Sequence, residues 1–300
     1  MVESSRCDQT WDFADGAEGD LHRAVMKRGW FMRCAKNSAD AHDETVEFYS
    51  NDGIRLRGVV STPTYARAIS CVVFAHGEGR DKDDCGLFAS VAEKLAVAGH
   101  TTMRFDLRGH GQSEGEQEEL TVLGVVNDIR SAVHHIWGQD DRVGVTVVGA
   151  GISAFAALHL AITEPPPGLD RILLVNPVVD MREEFVDKKP YWRLGRIDAT
   201  VGRELLEHSF LPHLSGFRLG RPFLNEVLNL RPKIPSEMKV GGSCICKRRG
   251  SSDVSLHGVH ADSSMLINME QASEAELRSF SELMCVSLQR HGHAEYPPEG

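Results

Sequence analysis

Apolar residues alternate with polar ones in two rhythms along the chain. Val46 and Phe48, then Ile54, Leu56 and Gly58, alternate on either side of Asn51-Asp52-Gly53. That pattern predicts two strands joined by a tight turn. Cys71-Val72-Val73-Phe74-Ala75 is a continuous apolar run of strand length that ends at His76-Gly77. Over 85–98, Phe88, Val91, Ala92, Leu95 and Ala96 fall on one side of a helix, and 101–105 reads as a strand. Val125, Ile129, Val133 and Ile136 recur at helical spacing over 122–137. A strand over 143–148, a helix after Ser153 and a strand over 172–175 follow. Strands alternating with helices of this length predict a mainly parallel sheet with helices on both faces. The functional groups of such a sheet lie at the carboxyl ends of its strands.

The pattern loosens from Asn176 onward. Residues 180–235 are rich in charge and in aromatics (Tyr191, Trp192, Phe210, Phe217, Phe223) and read as irregular helices, an inserted lid over a strand-end pocket. An amphipathic helix is expected over 272–289, and 291–300 as a frayed tail. Residues 1–43 read as a leader, partly disordered, ahead of one ordered domain over 44–290. Within it, 21–36 has the pattern of a short basic amphipathic helix lying on the domain surface.

Composition narrows the choices. The 300 residues carry 33 Lys+Arg against 43 Asp+Glu, a net charge of −10, with no long basic run. This speaks against nucleic-acid binding. Seven cysteines are too few and too odd for a disulfide scaffold, and they fit a reducing, cytoplasmic setting. The start lacks the basic-then-apolar order of a secretory signal. Residues 143–162 contain no Asp, Glu, Lys or Arg, but their β-branched first half and helix-forming second half read as buried strand, turn and helix. No membrane span is expected.

Three segments carry the candidate chemistry: His76-Gly77-Glu78-Gly79; Asp106-Leu107-Arg108-Gly109-His110-Gly111-Gln112-Ser113; and Gly149-Ala150-Gly151-Ile152-Ser153, each following a strand. Together they resemble the α/β-hydrolase fold superfamily of lipases, esterases and thioesterases, over about 44–178, with Thr121-Val122-Leu123 and the next helix similar to feruloyl-esterase-like members. The lid stretches Val178-Val179-Asp180-Met181-Arg182 and Arg218-Leu219-Gly220 are similar to the acyltransferase/thioesterase proteins of bacterial luminescence. The resemblance implies acyl ester or thioester cleavage, or acyl transfer, through an acyl-serine. The substrate would be small or borne on a carrier protein, and no cofactor or metal would be needed. It also implies an oxyanion hole made by the backbone N–H groups of Glu78 and Ile152.

The expected turn is Gly-x-Ser-x-Gly, with the nucleophile on a strained strand-to-helix turn. Here the nucleophile position falls on Gly151, which has no side chain and tolerates such a turn. The alternative register makes Ser153 the nucleophile and sets Phe155 where a small residue is needed. The resemblance offers His260 as base and Asp253 as acid. Six residues separate them, too few for the crossover between two parallel strands, so a helix–strand unit is expected to be missing and the C-terminal portion shortened. Asp253 or Asp262 would serve as acid only after rearrangement. Cys244, Cys246, His257 and His260 offer a rival zinc-type ligand set, with spacing unlike the usual knuckle. Two readings remain: a serine hydrolase or acyltransferase using Ser153, and a pseudoenzyme that binds a ligand or partner. A sheet missing one strand would leave an edge for a protein partner or a second copy.

Overall fold

The computed structural model describes residues 41–64, 67–139, 142–175, 177–178, 180–213 and 216–230, and the backbone of 244–245. The leader helix over 21–36, Asp253, His257, His260 and Asp262, the helix over 272–289 and the tail lie outside the described residues.

β1 (Ala41–Tyr49) and β2 (Arg55–Pro63) form an antiparallel hairpin with Phe48 opposite Leu56. Gly53, at φ 87°, supplies its left-handed turn position. β2 then pairs antiparallel with β4 (Thr101–Phe105). From there the sheet is parallel: β4, β3 (Cys71–Ala75), β5 (Val145–Ala150), β6 (Leu169–Val175) and the short β11 (Cys244–Ile245), in the order β1-β2-β4-β3-β5-β6-β11.

The apolar runs read as they do because the central strands are covered twice. Val72 and Phe74 of β3 point into a cluster with Val91 and Leu95 of helix α1 (Leu87–Val97). Val73 and Ala75 point the other way, into the larger cluster of helices α2 (Val122–Trp137) and α3 (Ile152–Thr163). All five residues of β3 are buried, which is why alternation disappears there.

The 180–230 insertion is not made of helices alone. It holds a π turn at Glu183–Asp187, a hairpin of β7 (Trp192–Arg193) and β8 (Arg196–Ile197), helix α4 (Ala199–His208), a second ribbon of β9 (Phe210–Pro212) and β10 (Arg218–Gly220), and helix α5 (Arg221–Asn229). Phe185, Phe217 and Phe223 form its aromatic centre, with Phe185 edge-on to Phe223 at 4.9 Å. Phe217 stacks on His110 at 5.8 Å, tying the insertion to the turn after β4. No helix among the described residues is long and apolar enough to cross a membrane.

Candidate active site

β3 and β5 are neighbours, and chain order reverses between them: β3 is followed along the chain by β4 on one side and, later, by β5 on the other. The crevice at their carboxyl ends is where a sheet of this kind places a ligand. His76-Gly77-Glu78 leaves β3 there, and Ala150-Gly151-Ile152 leaves β5.

Two buried histidines fix the first loop. Leu107 N–H donates to His76 Nε2 at 3.0 Å, so the other nitrogen, Nδ1, carries the proton and donates to Gly77 O at 2.8 Å. Burial, with His110 beside it, pushes the His76 pKa down to about 3. Gly79 N–H donates to His110 Nε2 at 3.2 Å, and His110 Nδ1–H donates to Arg108 O at 3.0 Å. Burial lowers the His110 pKa too. Both rings are neutral, with each nitrogen engaged. They hold the β3 and β4 turns together, and neither is placed to carry a proton to and from a substrate. Asp106 has the same structural duty: Lys82 N–H and Gln112 N–H donate to its two carboxylate oxygens at 2.8 and 3.0 Å.

The elbow itself is formed. Gly151 lies between β5 and α3 at φ 53°, ψ −119°, a backbone state that residues with side chains rarely adopt. A Cβ on Gly149 would come within 2.6 Å of Ser153 O, so strand and helix approach through that glycine. Gly151 thus takes the turn position in this structure. Ser153 is the second residue of α3, fully buried, and its hydroxyl donates to His76 O at 2.6 Å. The structure brings Gly151, Ile152, Ser153 and Glu78 together, but it directs the Ser153 hydroxyl into the interior beneath β3.

Glu78 enters through its side chain as well as its backbone. Ile152 N–H, one of the two expected oxyanion donors, donates to Glu78 Oε2 at 3.1 Å. A Cβ on Gly151 would stand 2.5 Å from that same oxygen. The sequence reading used Glu78 for its N–H alone, because contact with a residue some seventy positions away leaves no periodic or spacing signal. Elsewhere, His213 packs on Phe185 at 5.4 Å and is half-buried. Among the described residues, no three His, Cys, Asp or Glu side chains gather as a metal ion requires.

A mainly parallel sheet, a glycine-bearing elbow at its switch point and helices on both faces define the class: the chain has the α/β-hydrolase fold. Residues 66–209 match the family described as serine aminopeptidase, S33. Among curated relatives, an uncharacterized protein of Mycobacterium tuberculosis is 27% identical over 150 residues, covering 49% of this chain and 50% of the relative. The monoglyceride lipase of Rattus norvegicus is 26% identical over 143 residues, covering 43% and 46%. The chain spans about half the length of these curated relatives. A solved structure of an Agrobacterium vitis protein, provisionally called a hydrolase, superposes with a TM-score of 0.62 at 15% identity, over 83% of this chain and 99% of that one. That likeness shows the fold.

Proposed function

We propose that this chain is an acyl ester or thioester hydrolase by ancestry whose site binds a ligand or partner without forming an acyl-serine. An acyl-serine cycle needs a hydroxyl at the elbow, a base that takes its proton, and two N–H donors for the oxyanion. The observation that carries the reading is the elbow itself: Gly151 brings no hydroxyl, and the Ile152 N–H already serves the Glu78 carboxylate. Ser153 is the nearest candidate nucleophile, and its hydroxyl is spent on His76 O. The match to the monoglyceride lipase, with the esterase and thioesterase resemblance of the three turn segments, supports small acyl esters or thioesters, free or carrier-bound, as the ligand class. A cytoplasmic site of action fits the cysteine content.

Exposure of the purified chain to a fluorophosphonate probe, with p-nitrophenyl esters as substrates, tests this directly. We expect no labelling above a denatured control and no turnover. Stoichiometric labelling that disappears in Ser153→Ala would overturn the proposal and establish an active serine hydrolase.

A further inference from the structure

Glu78 does more than adjoin the elbow. Its Oε2 sits 2.5 Å from where a Cβ on Gly151 would be, and it receives the Ile152 N–H that a reacting carbonyl oxygen would use. Ile152 opens helix α3, so the carboxylate lies where the positive end of a helix and its unpaired N–H groups favour an anion. We infer that the Glu78 carboxylate is a built-in occupant of the oxyanion niche, and that Gly151 and Glu78 are a matched pair: the glycine leaves the room that the carboxylate fills. The inference rests on the reading of Gly151 as the residue at the nucleophile position.

Two consequences follow. With Glu78 in place, the niche excludes the carbonyl oxygen of an ester or thioester, both by occupying the donor and by setting a negative charge where an oxyanion would develop. With Glu78 shortened, the same niche becomes an open site for oxyanions, using a backbone donor that no side-chain substitution removes. A serine at position 151 can be accommodated by rotation of the flexible Glu78 side chain. That carboxylate still competes with substrate for Ile152 N–H.

The test compares four full-length variants, Gly151→Ser, Gly151→Ser/Glu78→Ala, Gly151→Ser/Glu78→Ser and Gly151→Ser/Glu78→Gln. Each is treated with p-nitrophenyl acetate and followed by intact-mass spectrometry, with peptide mapping of the acyl group. Loss of a single oxyanion donor costs about 10²–10³ in rate, so freeing one should accelerate acylation of residue 151 on the order of a hundredfold in the Ala and Ser double variants. Gln keeps an oxygen for Ile152 N–H and should give a clearly smaller gain. Two independent short replacements guard against one failing to fold, and a native melting transition is required of each. Equal acylation of Gly151→Ser with and without Glu78 overturns the inference, as does a Gln variant as fast as Ala, or no acylation in any variant. Acylation of the wild-type chain at Ser153 would instead overturn the proposed function, and peptide mapping separates the two failures.

Discussion

Arg108 lies between two carboxylates of different standing. It donates from Nη1 and Nη2 to Asp52 at 2.7 and 2.9 Å, and from Nη2 to Asp128 Oδ1 at 2.7 Å. The Asp128 side chain has no exposure, whereas Asp52 is 43% exposed. Removing one partner of a buried pair strands a charge away from water, while an exposed pair is worth little. Arg108→Ala should therefore cost roughly 3–5 kcal/mol, and Asp52→Asn less than about 1 kcal/mol, read from urea unfolding curves. Equal losses would show that Asp128 is satisfied without its guanidinium. The turn segments that carry His76, Asp106 and His110 were legible because each follows a strand along the chain. The register of the elbow was legible too, since Gly149 and Gly151 flank the strand end. The Glu78 side chain was not, because its partner is brought to it only by the pairing of β3 with β5.

At the level of elements, the amino end of α2 is where the insertion grips the sheet layer. Thr121 accepts from Gly124 N–H at 2.9 Å, and Glu226 of α5 accepts from Val122 N–H and, at 3.1 Å, from Leu123 N–H. Three of the four N–H groups that a helix leaves unpaired are thus served, two of them by a different element. Glu226→Ala should cost about 1–2 kcal/mol and release α5. Limited proteolysis is expected to cut within 180–230 sooner than in wild type while the sheet core resists. Unchanged cleavage kinetics would show that the aromatic centre alone holds the insertion. Helices α1 and α2 were readable from their apolar stripes. The ribbons β7–β8 and β9–β10 were not, because two- and three-residue strands are too short to display a period of two.

For the molecule as a whole, buried neutral histidines set the response to acid. Burial pushes His76 down to about 3 and His100 to about 4, and lowers His110 and His135 as well. The unfolded chain protonates these groups near pH 6.5 while the folded one does not, so it binds more protons below that point. Stability from this source is full above pH 6.5 and is lost as pH falls toward 4 and then 3. Between pH 7.5 and 5.5 each such histidine removes at most about 1.4 kcal/mol. Burial raises the Glu226 pKa, which acts in the opposite sense, so the histidine figure is a ceiling. Urea midpoints should fall over that interval, and His100→Asn should flatten the fall; a midpoint independent of pH would contradict the neutral, buried assignment. The parallel architecture behind this behaviour was legible from the order of strands and helices alone, whereas the acid and base expected at Asp253 and His260 lie outside the described residues. The turn at Gly151 also bears on how such a chain changes over time. Any residue with a side chain held at φ 53° there carries strain of roughly 1–3 kcal/mol. Exchanging a residue with a side chain for glycine at this point is downhill in folding free energy and the return is uphill, so the backbone itself makes the glycine hard to reverse.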